Sequence, residues 1–368
     1  MLPNETVVGQ ALSYQEAKTV SEEEFNIRKR ETTHTRAQEI ADKSLSMNGQ
    51  TLRWKETVFG GKGKHGWPLW VSLHGGGEVP APVNDEQWDK QAKLYQPENG
   101  IYLAPRAPGD TWFMWNEPHV DPLLCRLIES MVALREVDPD QIYLLGYSAG
   151  GNGVYHLAAR MADRFAAASA MAGYPTQAPL ENLRHLPFGI FVGKHDITFN
   201  RADEAEKWRK ELDFQQKKHP GDYLHRVKIY PDYGHWMHGE DAETLPWMAR
   251  FRRNPWPATL TWTQDVVPHR RFYWLEVSGN DAVARRRISA RVTKQTIALA
   301  GDEPDAIRLW LSDKLVDLDQ PVRVTFNGKT VHQAKVARTR KAIRDSLASR
   351  LDLSACATAV LDLDFHTP

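Results

Sequence analysis

Only two cysteines, Cys125 and Cys356, occur in the chain. They lie far apart, in segments expected to belong to different domains, which excludes a disulfide framework and a cysteine-based zinc site. An excess of charge of either sign is also missing, since Lys plus Arg and Asp plus Glu number 47 each. No net field draws nucleic acid or an acidic surface, and no nucleic-acid partner is expected. Nowhere do roughly eighteen apolar residues run together, as a membrane-crossing helix requires, so no membrane association is expected. The N-terminus, Met-Leu-Pro-Asn-Glu-Thr, lacks the basic start and apolar run of an export signal. As the sequence stands it reads as cytoplasmic; a secreted or periplasmic protein already trimmed of its signal reads the same.

What is present is enough for real cores. At 368 residues, with 41% hydrophobic residues and 13 Trp, the chain is long for one domain and comfortable for two. Residues Tyr14 to Ser44 are polar and helix-friendly, with Glu24 four before Arg28 and a thin apolar stripe through Phe25, Ile27, Ala37 and Ile40. The charge runs Glu22-Glu23-Glu24 and Arg28-Lys29-Arg30 read as a solvated helix face. From Pro68 to Tyr230 short apolar runs alternate with helical spacing, which implies a mostly parallel sheet covered on both faces. The expected strands are Leu52 to Val58, Pro68 to Leu73, Gly100 to Ala104, Ile142 to Leu145, Ala166 to Ala172, Phe188 to Gly193 and Arg226 to Tyr230. A turn at Asp138-Pro139-Asp140 is expected to lead into the central one.

Gly146-Tyr147-Ser148-Ala149-Gly150 stands between a buried strand and a helix. In that setting the G-x-S-x-G pattern has a mechanical meaning, because a turn this tight admits only small residues beside an exposed serine. The backbone N–H of Ala149 then faces the charge that develops on an attacked carbonyl. Upstream, Leu73-His74-Gly75-Gly76-Gly77-Glu78 follows another strand. Three successive glycines are expensive in chain entropy, and a loop whose N–H groups approach a ligand oxygen supplies a reason for them. Such a loop can supply a second oxyanion donor, a plain tight turn being the alternative, and His74 reads as an anchor of the loop and not as a proton carrier.

Asp196 and His235 each fall just after an expected strand, where reactive groups of such sheets gather. Ser148, Asp196 and His235 occur in the chain order of a strand-end nucleophile, acid and base. Asp232, three positions before His235, is the rival acid, but beside Pro231 it reads as a turn residue. The loop Thr111-Trp112-Phe113-Met114-Trp115-Asn116 is either a folded-back satellite core or an active-site wall. On the second reading Trp112, Trp115, Tyr147 and Trp236 contact substrate. His119-Val120-Asp121 has the chemistry of a metal-ligand pair without a third partner, and reads as structural. No metal or cofactor is expected.

At Leu73-His74-Gly75-Gly76-Gly77, at the run from Asp138 through Ser148 to Gly151, and at the loops holding Asp196 and His235, the chain resembles the α/β-hydrolase superfamily. Within it the likeness is to esterases similar to polyhydroxybutyrate depolymerases and feruloyl esterases, and it covers roughly residues 50 to 250. The resemblance implies nucleophile Ser148, general base His235, orienting acid Asp196, and an oxyanion hole from the N–H groups of Ala149 and of Gly75 or Gly76. The function expected is a serine carboxylesterase acting on a small-molecule ester. A serine peptidase with the same triad is the near alternative, and a non-catalytic binding protein on a hydrolase scaffold is the alternative of another class. Members that act on polymers outside the cell are exported, whereas no export signal is present here. Between Gly173 and Phe188 there is no room for a helical lid, so the site should be open.

After Asn254-Pro255-Trp256-Pro257 the pattern changes to short alternating runs: Thr259 to Trp262, Phe272 to Val277, Ile288 to Val292, Thr296 to Leu299, Ala306 to Leu311 and Val322 to Phe326. The turn Asn327-Gly328 leads to Thr330-Val331 as in a hairpin. A helix from Ala334 to Leu351 and a strand from Ala357 to Phe365 close the chain. The basic run Arg285-Arg286-Arg287 reads as solvated edge charge. The expected architecture is thus an N-terminal helical segment (1–49), an α/β-hydrolase catalytic domain (50–254) and a β-rich, sandwich-like accessory domain (255–368). The sequence carries no signal of oligomeric state.

Overall fold

The computed structural model describes residues 10–365. They fall into two compact units, Arg36–Asn254 and the described parts of Met1–Thr35 and Pro255–Pro368. A short strand, β1 (Ala11–Leu12), precedes one long helix, α1 (Tyr14–Asp42). Lys43 then turns into the left-handed region, at φ 51, and the chain reverses direction. Ser44–Met47 forms β2, hydrogen-bonded to β3 (Gln50–Phe59), where a helical reading through Ser44 left no strand. The connecting Asn48 and Gly49 both take positive φ (51 and 78), the conformation a two-residue hairpin needs to match strand twist.

The eight strands of unit Arg36–Asn254 make one sheet. After β2 and β3 come β4 (Trp67–Leu73), β5 (Gly100–Arg106), β6 (Val137–Tyr147), β7 (Ala167–Met171), β8 (Phe188–Gly193) and β9 (His225–Tyr230). In space the order is β2-β3-β5-β4-β6-β7-β8-β9, antiparallel at the first two strands and parallel from β5 onward. Strands buried on both faces read as continuous apolar runs, and in β4 every residue but the first is buried. Helices α2 (Ala81–Leu94), α3 (Val120–Leu134), α4 (Ala149–Arg160) and α5 (Arg201–Lys218) follow β4, β5, β6 and β8, and the short α6 (Thr244–Met248) comes after β9. Because β4 pairs in parallel with β5 on one side and β6 on the other, the loops leaving β4 and β6 lie next to each other at the sheet's carboxyl end. Asp138-Pro139-Asp140 does not form the expected turn but lies within β6.

The second unit holds two sheets. One has the order β10-β13-β14-β16-β17, from Thr259–Thr263, Arg287–Thr293, Thr296–Gly301, Val322–Phe326 and Lys329–Ala334. The other has the order β11-β12-β15-β19, from Arg271–Phe272, Leu275–Val277, Ala306–Leu311 and Ala359–Asp364. Phe272 to Val277 is therefore not one strand; Tyr273, at φ 53, folds it into a tight hairpin. The expected helix from Ala334 to Leu351 is shorter, α7 (Arg340–Ser349), preceded by β18 (Arg338–Thr339) and capped where Thr339 Oγ1 accepts the Ala342 N–H at 3.1 Å.

The first half of α1 packs with this β-rich unit. Ala17 and Val20 share a core with Ile343, Leu347 and Cys356, and β1 pairs with β18. Glu24 departs from the solvated face expected of its charge run: it is buried, and its carboxylate takes Arg340 at 2.6 Å and Arg344 at 2.9 Å. Arg286 likewise binds buried Asp281 in place of standing free at an edge.

Candidate active site

β6 ends at Tyr147 and α4 begins at Ala149, so Ser148 makes the whole turn by itself. Its backbone lies at φ 58, ψ −120, a region that L-residues avoid unless the surroundings hold them there. One reason the turn stays tight is Gly150: a Cβ on it would stand 2.1 Å from the Leu73 carbonyl oxygen, so only glycine lets α4 approach β4. The Ser148 N–H donates to Met171 O at 2.9 Å, fixing the turn on the neighbouring strand. Ser148 Oγ thereby projects from the carboxyl end of the sheet.

Three side chains expected from the sequence meet there. Ser148 Oγ lies 2.9 Å from His235 Nε2, and His235 Nδ1 lies 2.7 Å from Asp196 Oδ2. The Asp196 side chain is 1% exposed while that of His235 is 45% exposed, so the carboxylate is sealed and the imidazole faces solvent. Asp232, the rival acid, is exposed, and the two ring nitrogens of His235 are taken by Asp196 and Ser148. A fourth group went unrecognised in the sequence: buried Arg201, at the start of α5, donates from Nη1 to Asp196 Oδ1 at 2.9 Å.

Tyr147 has a different place from the one expected of it. It is buried, and its hydroxyl donates to the His235 carbonyl at 2.6 Å while accepting the Met237 N–H at 3.0 Å. It holds the imidazole's loop and presents no face to a substrate. Burial pushes its phenol well above the ordinary range, which keeps the donor protonated.

The glycine loop lies against the serine. A Cβ on Gly75 would stand 3.1 Å from Ser148 Cβ, and Gly76 takes φ 103, a conformation that favours glycine. The Gly77 N–H is already taken by Asn84 Oδ1 at 2.8 Å, and Asn84 Nδ2 in turn donates to Asp110 Oδ1 at 2.7 Å. Asn84, which no sequence motif marks, thus anchors the loop from α2. His74 anchors it from within: Nδ1 lies 2.6 Å from Gly75 O, and the Ala107 N–H donates to Nε2 at 3.1 Å. One donor and one acceptor suit a neutral ring, and burial lowers its pKa to about 4. The Ala149 N–H, in the first turn of α4, and the loop of Gly75 and Gly76 flank Ser148, where oxyanion donors would be needed.

Of the four aromatic residues expected at the substrate, Trp112 and Trp236 remain at the surface of the site. Trp115 is 1% exposed, donates to His74 O at 2.9 Å, and acts as packing behind the glycine loop. Trp236 is 46% exposed and packs on Tyr147. Trp112 donates to the Tyr174 hydroxyl at 3.1 Å and leans on Phe199, which stacks on Tyr174 at 4.9 Å. Phe199 and Ile197, beside Asp196, are exposed apolar groups that sequence pattern alone did not single out. The cavity between Trp112, Trp115, Ala149, Asn152 and His156 measures about 10 Å³, room for one water.

His119 and Asp121 do not meet as metal ligands, because both Asp121 oxygens take Arg160 at 2.6 Å. Among the described residues no three His, Cys, Asp or Glu side chains gather as a metal site, and no helix is long and apolar enough to cross a membrane.

Residues 93–266, which contain Ser148, Asp196 and His235, match the family model described as Dienelactone hydrolase family. The Arg36–Asn254 unit has an α/β-hydrolase-like fold. No curated protein matches the chain. Among solved structures, a thermostable esterase is 19% identical with a TM-score of 0.45, over 57% of this chain and 62% of its own. A ferulic acid esterase is 15% identical (TM-score 0.42) over 56% of this chain and 96% of its own. Est1E from Butyrivibrio proteoclasticus is 15% identical (TM-score 0.39) over 56% and 97%. The assignment of the α/β-hydrolase unit rests on its strand order, its serine turn and the family match.

Proposed function

We propose that the α/β-hydrolase unit is a serine carboxylesterase acting on small or aryl-bearing carboxylic esters. The observation that carries this reading is the chain of two hydrogen bonds, 2.9 Å from Ser148 Oγ to His235 Nε2 and 2.7 Å from His235 Nδ1 to Asp196 Oδ2, on a serine held at φ 58. A serine hydroxyl is a poor nucleophile at neutral pH; neutral His235 takes its proton as Oγ attacks the carbonyl. Charge developing on the carbonyl oxygen is met by the Ala149 N–H and by that of Gly75 or Gly76. The imidazolium gives its proton to the leaving alcohol, and an acyl group remains on Ser148. Water, deprotonated by the same imidazole, then attacks the acyl carbon, and the imidazolium returns the proton to Ser148 Oγ as the acid leaves. Asp196 keeps the proton-bearing nitrogen turned away from serine and stabilises the charged ring without itself taking the proton.

The β-rich unit is read as a sandwich and as an accessory to this chemistry. Supporting the sandwich, Trp262 of one sheet stacks on Phe272 of the other at 5.7 Å.

The test is a panel of p-nitrophenyl esters of rising acyl length beside aminoacyl-nitroanilides, run with Ser148→Ala. Ester turnover with organophosphate labelling confined to Ser148, both lost in the variant by about 10⁴-fold or more, is expected. Preference for the anilides would make the protein a peptidase; substantial turnover by the variant would end the assignment.

A further inference from the structure

The five-residue step from Asp196 to Arg201 is strained. Phe199 and Asn200, neither of them glycine, both take left-handed backbone conformations (φ 58 and 52) immediately before α5. Such residues persist where the surrounding structure over-determines them. Here the bend brings Arg201 back onto the carboxylate: Nη1 donates to Asp196 Oδ1 at 2.9 Å and to Thr198 O at 3.3 Å. Phe199 and Tyr174 cover the guanidinium, their rings 5.1 and 5.8 Å from Cζ. The Arg201 and Asp196 side chains are 5% and 1% exposed, so the pair is closed to solvent on the side away from His235.

A buried carboxylate with an imidazole as its sole neighbour favours the charged ring, because imidazolium is then its only counter-ion. A charged ring cannot take a proton from serine. With Arg201 already balancing Asp196, the neutral ring is the stable resting partner, and the carboxylate still directs its Nδ1–H. We propose that Arg201 is a positioning residue whose fixed charge keeps His235 in its neutral, base-competent form at neutral pH, while Asp196 sets its orientation. The proposal rests on the esterase reading for its kinetic arm only. The other ionisable groups on the segments that carry the site are Lys194 and His195 on the Asp196 loop, Asp232, Tyr233 and His238 on the loop of His235, Tyr147 on β6, and Glu240, Asp241 and Glu243 in the turn that follows. Among the described residues none of these is hydrogen-bonded to the ring, whose two nitrogens meet Ser148 and Asp196.

Two variants of the full chain separate charge from hydrogen bonding. Arg201→Gln retains a donor for Asp196 Oδ1 and removes the charge; Arg201→Lys retains the charge and removes the planar fork. The acid limb of kcat/KM is expected to move to higher pH by about one unit in Arg201→Gln, a roughly tenfold loss below the limb that is recovered at alkaline pH. In Arg201→Lys the limb should stay in place. A limb unmoved in Arg201→Gln, or moved to lower pH, would overturn the proposal, since a purely structural residue lowers the amplitude without moving the limb upward. Nitrogen NMR of 15N-histidine-labelled wild type covers the case in which Arg201→Gln does not fold. The expected result at pH 7 is a neutral His235 protonated at Nδ1; a doubly protonated ring would overturn the proposal. That arm needs no turnover, so the esterase reading can fail on the ester panel while this one stands, and the reverse.

Discussion

The hydroxyl of Tyr147 donates to the backbone carbonyl of His235 at 2.6 Å, so the residue beside the serine also holds the loop that carries the imidazole. Tyr147→Phe leaves that carbonyl and the Met237 N–H without their partner. A loss of about 1–3 kcal/mol in stability is expected. Because small misplacements of a reacting group are severe, kcat should fall by roughly 10- to 100-fold with KM little changed. Denaturant titration and steady-state kinetics on one ester check both numbers.

Asp196→Asn and Asp232→Asn discriminate the two candidate acids. An amide at 196 presents an N–H where His235 needs an acceptor, so kcat should drop by about 10⁴-fold. At exposed position 232 the change should leave kcat within about twofold, as surface substitutions do. The reverse pattern would mean that the acid is misassigned.

Acid should loosen the glycine loop through His74. Burial holds its folded pKa at about 4, below the ordinary ~6.5 of an imidazole in the unfolded chain. Between those values the unfolded state binds the extra proton, so stability falls as pH falls. The contribution is fully present above ~6.5 and approaches a loss of about 3 kcal/mol by pH ~4. Melting temperatures across that window should decline less steeply in His74→Gln than in wild type. Parallel slopes would show that His74 is not the titrating group.

The α/β-hydrolase unit should keep its chemistry without the β-rich one. All the residues assigned to nucleophile, base, acid and oxyanion hole lie before Asn254. A chain ending there leaves Ala17, Val20 and Phe25 of α1 without the core they share with α7, and should aggregate. Starting the shortened chain at Arg36 removes that exposed face and should improve its yield. Soluble fragment should still be labelled by organophosphate at Ser148; folded fragment with an unreactive serine would show that the second unit helps build the site.

Most of the site was legible because strand ends impose local grammar. The small residues around Ser148, the glycines after Leu73, and an acid and a histidine each following an apolar run are all consequences of one short segment's own geometry. What could not be read depends on contacts between distant segments. Arg201 looks like any basic residue at the start of a charged helix until the bend at Phe199 and Asn200 turns it onto Asp196. Tyr147 and Trp115 look like substrate contacts because aromatic type does not reveal which way a side chain faces. The same holds for the fold: Ser44–Met47 continues a polar helical pattern and becomes a strand only because Asn48-Gly49 pairs it with β3. Tyr273 interrupts a run whose alternation is otherwise unbroken.

The salt bridge of Glu24 to Arg340 spans 316 positions of sequence, which has a consequence for how the chain is made. At synthesis rates of about 5–20 residues per second, α1 emerges tens of seconds before the segment that covers it. During that interval the carboxylate of Glu24 and the apolar face of Ala17 and Val20 have nothing native to settle against. The hydrolase unit has all of its strands earlier and is free to mature in the meantime. A nascent chain halted before Arg340 should accordingly bear a protease-sensitive first half of α1 and an already resistant sheet.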